Sequence, residues 1–182
     1  MSIIEGGQRR IRPCLYGVVA LGGNAAVLAD TALDAANPTI VTAFAGQSDV
    51  PRNVTVKGND ANVTGNVVVE GVSAGGAVIT ETIALNAANV VTGNKAFRTV
   101  TRVTLPKYAV ANTERIRVGL GAKLGLPVRL SRNTVLAAFL GGVREATAPT
   151  VAVSATQLEA NTVTLNSALN GSAVIVDLYD TN

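Results

Sequence analysis

The sequence contains no histidine, no tryptophan and a single cysteine, Cys14, among its 182 residues. Without histidine the chain cannot build a Ser-His or Cys-His catalytic pair, a histidine-ligated zinc site or an imidazole pH switch. One cysteine excludes an internal disulfide and a cysteine-rich metal site. Cys14 lies in an apolar run, which is typical of a small buried hydrophobe rather than a nucleophile. We therefore expect no enzymatic activity, no metal and no cofactor.

Aromatic residues make up only 3% of the chain and charged residues 15%, whereas 48% is hydrophobic. A chain of this length forms one ordinary domain, with or without an appended piece. No stretch approaches the roughly 18 unbroken apolar residues that a membrane helix requires, so we expect no membrane partner. The first residues lack the charged-then-apolar order of a signal peptide, which predicts synthesis in the cytosol with Cys14 reduced.

Short segments of β-prone residues, separated by turn residues, dominate the sequence. The clearest hairpin pairs residues 67–72 with 77–85 across a short connection at 73–76. Only residues 25–36 and 154–160 are candidates for helix. The pattern predicts an all-β fold, a β-sandwich or barrel-like domain of about ten short strands.

The composition changes at both ends of the chain. Residues 1–15 contain Gly-Gly and an arginine cluster that interrupt any periodicity, which predicts an extended N-terminal arm. After residue 149 the only charges are acidic, at Glu159, Asp177 and Asp180. We therefore divide the chain into an arm (1–15), a main β domain (16–145) and a small C-terminal β unit (146–182). That last unit is expected to pack on the same domain or on a neighbouring subunit.

Arginine supplies most of the positive charge, with eleven arginines against four lysines and a net charge of +3. Arg9, Arg10 and Arg12 cluster in the predicted arm, where their guanidinium groups could bind acidic groups of a partner. Arginine is favoured at protein interfaces because its planar fork binds carboxylates with two hydrogen bonds. Nucleic-acid binding has weaker support, because Glu5 lies nearby and no aromatic residues alternate with the arginines.

The string GLGAKLG at residues 119–125 resembles a phosphate-binding loop only in part. Such a loop needs closely spaced glycines that open a helix and point their backbone amides at the anion. Here the third glycine comes one residue late, and the following Leu-Pro-Val does not open a helix. A β turn or bulge shaped by glycine is the better interpretation.

Glu70 and Glu81 fall on the two strands of the predicted hairpin. If the turn at 73–76 is tight, the two carboxylates share one face of the sheet, as an acid/base pair of a glycosidase would. However, no cluster of aromatic residues accompanies them to bind a sugar. A solvated or arginine-paired face is therefore favoured over a carbohydrate site.

Four strings in the sequence resemble one known family. They are VPRNVTVKGNDANVTGNVVVEG (50–71), ITETIALN…VTGNKAFRTVTRVTLP (79–106), RVGLGAKLGLPVRLSRNTV (117–135) and EATAPTVAVSATQLEANTVTLNSALNGSAVIVDLYD (145–180). Together they resemble small β-rich structural proteins encoded among the virion genes of tailed bacteriophages and prophages. The resemblance covers most of the chain after about residue 27, and the order ITETI, GNKAF, KLGLP carries it.

The resemblance implies a virion structural protein without catalytic residues. The leading hypothesis is a capsid decoration or cement protein, made in the bacterial cytoplasm. It would bind the major capsid protein on the outer shell as a homo-oligomer, expected to be a trimer, and would need no small-molecule substrate. The alternative is a tail tube or connector subunit that assembles into rings. In the leading hypothesis we expect Arg9, Arg10 and Arg12 of the arm to pair with acidic residues of the capsid protein.

Overall fold

The computed structural model describes residues 10–110 and 112–179, which form fourteen β-strands and one short 3-10 helix, Leu158–Ala160. The all-β prediction is confirmed. The strand count exceeds ten because three segments that the sequence pattern left unassigned also pair, namely Leu28–Ala32, Val91–Phe97 and Val143–Arg144. The candidate helix at 25–36 was wrong, since part of it forms one of these strands. None of the described residues forms a helix long and apolar enough to cross a bilayer.

Six strands form what we call the central sheet, in the order β12-β13-β9-β4-β7, with β2 also paired to β9. Its longest strand, β9, contains the glycine string and pairs antiparallel with β4. The strands of this sheet are β2 (Leu28–Ala32), β4 (Arg52–Gly58), β7 (Val91–Phe97), β9 (Arg115–Gly125), β12 (Thr150–Ala152) and β13 (Thr162–Thr164).

Four strands form the hairpin sheet, in the order β3-β8-β5-β6. The predicted hairpin is confirmed, because β5 pairs with β6 from Asn66↔Ala84 to Val72↔Val78. Its turn is closed by Gly76, which has the positive φ of 83° that favours glycine. The strands are β3 (Thr39–Val41), β5 (Asn66–Val72), β6 (Val78–Ala84) and β8 (Thr99–Leu105).

The terminal sheet brings the two ends of the described chain together, in the order β1-β14-β10-β11. Strand β1 pairs antiparallel with β14 from Ile11↔Tyr179 to Val18↔Ala173. Pro13 is tolerated in β1 because this strand lies at the edge of the sheet, where a missing backbone N–H costs little. The strands are β1 (Ile11–Val18), β10 (Val135–Leu140), β11 (Val143–Arg144) and β14 (Ala173–Tyr179).

The predicted domain boundaries do not coincide with these sheets. Residues 11–15, which the sequence analysis places in the arm, belong to β1, while residues 1–9 lie outside the described residues. The segment 146–182 contributes β12 and β13 to the central sheet and β14 to the terminal sheet. Both ends are therefore part of the sheets that also hold the middle of the chain.

Two hydrophobic cores lie along β9, one towards each end of the strand. One core packs the hairpin sheet against the first half of β9, with Phe97, Leu105 and Ile116 fully buried. The other packs the terminal sheet against the end of β9, with Leu124 and Val176 fully buried. The terminal sheet thus buries one face in a core and turns its other face outward.

Candidate interaction surface

The outer face of the terminal sheet is apolar and open to solvent. In β1 the core-facing Cys14 is buried, whereas Ile11, Leu15 and Val18 are 62%, 72% and 68% exposed. Paired residues of neighbouring strands share a face, so the register extends this surface across β14 and β10. We call it the apolar face; it comprises Ile11, Pro13, Leu15 and Val18 of β1, Ala173, Ile175 and Tyr179 of β14, and Ala137 and Phe139 of β10.

The outer face of the hairpin sheet is mixed, because a row of polar residues lies there between the exposed Ile40 and Val78. There Glu70 lies between Thr80 and Arg102 in one row of paired residues. Arg102 forms an ion pair with Glu70 at 3.5 Å between Nη1 and Oε1. Antiparallel sheets commonly pack one face on a core and expose a polar one, and this polar row follows that pattern. The apolar face departs from it, which is typical of a surface that a partner covers.

Two opposite charges lie on the same side of the terminal sheet as the apolar face. Asp177 of β14 pairs with Pro13 on one side and with Ala137 on the other. Arg144 of β11 pairs with Phe139. Among the described residues, neither Asp177 nor Arg144 has a hydrogen bond or ion pair from its side chain. Within the described part of the chain, this surface therefore presents one carboxylate and one guanidinium without a partner.

The structure places two of the three predicted partner-binding arginines at the start of β1. Arg10 directly precedes the strand and Arg12 lies within it, and both are exposed. Arg12 pairs with Leu178, so it lies on the core-facing side, at the open end of the sheet. Arg9 lies outside the described residues.

The side chain of Cys14 lies on the core-facing side of the terminal sheet, and its surroundings disfavour the thiolate. Burial raises the pKa of its thiol; the nearby charge of Arg12 lowers it, and that of Asp177 raises it, so that the net shift is upward. A raised pKa and low exposure both slow reaction with electrophiles, because the thiolate is the nucleophile. The structure thus supports the interpretation of Cys14 as a buried hydrophobe.

We expect Cys14 to react with an aromatic disulfide reagent at least about 100-fold more slowly in the native chain than in the unfolded chain. The measurement is absorbance of the released thiolate at neutral pH, with the chain in concentrated guanidinium chloride as the control. Native labelling at the rate of the unfolded chain would contradict the burial of β1 against the core.

The expectation that Glu70 and Glu81 share a sheet face was wrong. The hairpin pairs Glu70 with Thr80 and Val69 with Glu81, so the two carboxylates point to opposite faces. A shift of one residue in the register exchanges the faces, and the turn closed by Gly76 sets that register. Glu81 instead accepts hydrogen bonds from the backbone amides of Asn94 at 2.6 Å and Lys95 at 3.2 Å. This geometry provides no acid/base pair for a glycosidase.

The glycine string does not form a phosphate-binding loop. Residues 119–125 continue β9, and the pairing with β4 shifts register between Arg52 and Val54, as expected for a bulge. A side chain at Gly119 would overlap the backbone of Gly23 and Asn24, and one at Gly121 would overlap Asn53. These two glycines therefore allow neighbouring segments to approach β9 closely.

The described residues provide little for small-molecule chemistry. They contain no group of three His, Cys, Asp or Glu side chains that could hold a metal ion. A shallow depression of about 450 Å³ adjoins β10 and β11 and is lined largely by small residues, with Arg144 and Glu145 as its charged groups. The carboxylate of Glu145 already accepts a hydrogen bond from the Ser167 amide at 2.8 Å. The apolar face is accordingly the stronger functional candidate.

The sequence pattern pointed to the arginines but did not predict the apolar face. The available signal was that β1 and β14 carry apolar residues at both alternating positions, as in AVIVDLY of β14. Such a run is typical of a strand covered on both faces.

No protein-family model, no curated protein and no solved structure matches the chain.

Proposed function

We propose that this protein is a structural subunit of a bacteriophage virion, a decoration or cement protein that binds the major capsid protein on the outer shell. The observation that carries the proposal is the apolar face on an otherwise well-packed β domain, beside an exposed basic end of β1. A surface of this kind is a liability on a free monomer but not on an assembled subunit. The motif resemblance to virion structural proteins supports the same role.

In this proposal the shell is bound by the N-terminal segment. Arg10 and Arg12 are exposed at the point where the chain enters β1, and Arg9 precedes them. Arginine forks bind carboxylates with charge-assisted hydrogen bonds, so an acidic surface of the capsid protein is the complementary partner.

Deleting residues 2–9 removes Arg9 and is expected to weaken attachment to the shell while leaving the β domain folded, because β1 begins only at Ile11. The measurement is co-sedimentation with empty heads of the phage that encodes the chain. A second variant, Arg10→Glu with Arg12→Glu, should lose at least about tenfold in affinity if the arginines pair with carboxylates.

The matched control is Arg98→Glu, which reverses an exposed charge in the connection between β7 and β8. It should bind heads as the wild-type chain does. Unchanged binding by the deletion variant would refute attachment through the N-terminal segment. If the purified chain instead forms tubes or stacked rings in negative-stain images, the tail-subunit alternative replaces the decoration role.

A further inference from the structure

We propose that the apolar face is a self-association surface, through which two copies of this chain pair face to face about a two-fold axis. This inference goes beyond the proposed function, because it concerns the free protein and does not require a shell. It also departs from the trimer that the sequence analysis expects. Two opposite charges of this sheet, each without a partner among the described residues, support such a pairing.

The charges make the surface complementary to itself. Asp177 and Arg144 carry opposite charges on one side of the same sheet, and neither has a partner among the described residues. In a two-fold contact the same patch meets itself, so that any contact from one residue to another occurs twice. One rotation therefore pairs Asp177 of each copy with Arg144 of the other. An unrelated partner would have to supply both complementary charges around an apolar centre.

The register of the sheet fixes where the axis must pass. Asp177 and Arg144 are separated by two strand spacings across the sheet and by two residues along the strand direction. By standard sheet dimensions this diagonal is about 12 Å. The midpoint of that diagonal falls on β10, between Ala137 and Phe139. A two-fold axis there would place the Phe139 rings of the two copies side by side. Aromatic residues at the centre of an interface commonly contribute most to its stability.

The contact would also cover the most exposed apolar residues of the sheet. Leu15 pairs with Ile175, which pairs with Phe139, so these three residues form one continuous row across the face. Face-to-face packing of two sheets removes such rows from water.

Charge reversal on the full-length chain tests the proposal. The wild-type chain should sediment as a dimer at equilibrium. Asp177→Arg and Arg144→Asp should each weaken dimerisation at least about tenfold, because each variant brings like charges together twice. The double reversal, Asp177→Arg with Arg144→Asp, should restore the affinity to within a few-fold. Glu70→Arg, which changes a charge on the outer face of the hairpin sheet, is the control and should not affect dimerisation.

Cross-linking provides a second measurement that does not depend on the charge variants folding. Two packed sheets lie about 10 Å apart, which is too far for a disulfide but suits a short bismaleimide. Ala137→Cys should therefore be cross-linked into dimers, whereas Thr82→Cys on the hairpin sheet should not. Cys14 is buried and should contribute little background.

A wild-type monomer at all concentrations, a trimer, or a dimer insensitive to both reversals would overturn the proposal. These outcomes are distinguishable from failure of the proposed function, because dimerisation is measured without heads. The chain that lacks residues 2–9 should remain a dimer even though its binding to heads is weakened.

Discussion

Replacing Arg52 by alanine is expected to lower the free energy of unfolding by about 4 kcal/mol, a large part of the stability of an ordinary domain. The Arg52 side chain is only 1% exposed and lies where the two cores meet. Its guanidinium donates hydrogen bonds to the carbonyls of Gly121 at 2.7 Å and Ala20 at 2.9 Å, and to the Asp49 carboxylate at 3.2 Å. Removing it leaves these acceptors without their donor and opens a cavity around its aliphatic stem.

The carboxylate of Asp49 forms an ion pair with Arg52 at the same junction. Partial burial raises the pKa of the Asp49 carboxyl, but hydrogen bonds from the Ala20 amide, the Arg52 guanidinium and the Val50 amide outweigh it, so the net pKa is lowered. The ionised carboxylate is therefore the form that the fold stabilises. It is about one-third exposed, so we assign the expected loss to the buried arginine rather than to the ion pair alone.

Urea denaturation followed by circular dichroism measures the effect. Arg117→Ala is the matched control, because Arg117 also binds a carboxylate, that of Asp30 at 2.7 Å, but at a partly exposed site. It should cost no more than about 1 kcal/mol. Arg52→Lys should fall between the two, since an ammonium keeps the charge but cannot reproduce the planar fork. Equal losses for Arg52→Ala and Arg117→Ala would contradict the structural role of Arg52.

Alternation in the sequence predicted the hairpin sheet well, because its strands alternate between buried and more exposed positions. In β6, for example, Ile79 and Ile83 are buried while Thr80 and Thr82 are exposed, which is the pattern that defines a half-buried strand. The register was not predictable to one residue. The register depends on the conformation of the turn at 73–76. The observed register differs by one residue from one that would place Glu70 and Glu81 on the same face, so the two carboxylates lie on opposite faces.

The terminal sheet was harder to predict because its strands are apolar on both sides. In β1 the exposed Leu15 follows the buried Cys14 directly, so the sequence alternates poorly even though the strand is regular. This masked the start of the strand, and residues 11–15 were assigned to the arm. Apolar residues on both sides of β1 made the strand hard to recognise in the sequence, and those on its exposed side form part of the apolar face.

Buried polar residues were the other part that sequence reasoning did not reach. Arg52 and Asn161 are both fully buried, although arginine and asparagine are usually exposed. Their roles depend on backbone groups far away in the chain, as with Arg52 and the carbonyl of Gly121. No local pattern records such a partner, so only the three-dimensional structure identifies these residues.

Asn161 should be the second position where a single substitution strongly destabilises the fold. Its side-chain oxygen accepts hydrogen bonds from the amides of Leu130 at 2.9 Å and Ser154 at 2.8 Å. Its side-chain nitrogen donates to the carbonyls of Ser154, Gln157 and Leu158. Asn161→Ala leaves two amides without an acceptor, at about 1–3 kcal/mol each if they stay buried, so we expect a loss of about 4 kcal/mol. Asn133→Ala, at an exposed position that caps the Val135 amide, should cost no more than about 1 kcal/mol.

Asn161→Asp separates the contribution of the donors from that of the acceptor, because it keeps an oxygen for the two amides but removes the NH2 group. The introduced carboxylate would face carbonyl oxygens in a buried site, which raises its pKa in the folded state above the unfolded value of about 3.9. Below the unfolded pKa the group is protonated in both states, so its titration does not change the free energy of unfolding. As the pH rises from there toward the raised folded pKa, the free energy of unfolding falls. We expect the variant to be markedly less stable than the wild type near pH 7 and the difference to narrow toward about pH 4. A difference that stays constant over this range would show that the introduced group does not face the carbonyls of Ser154, Gln157 and Leu158.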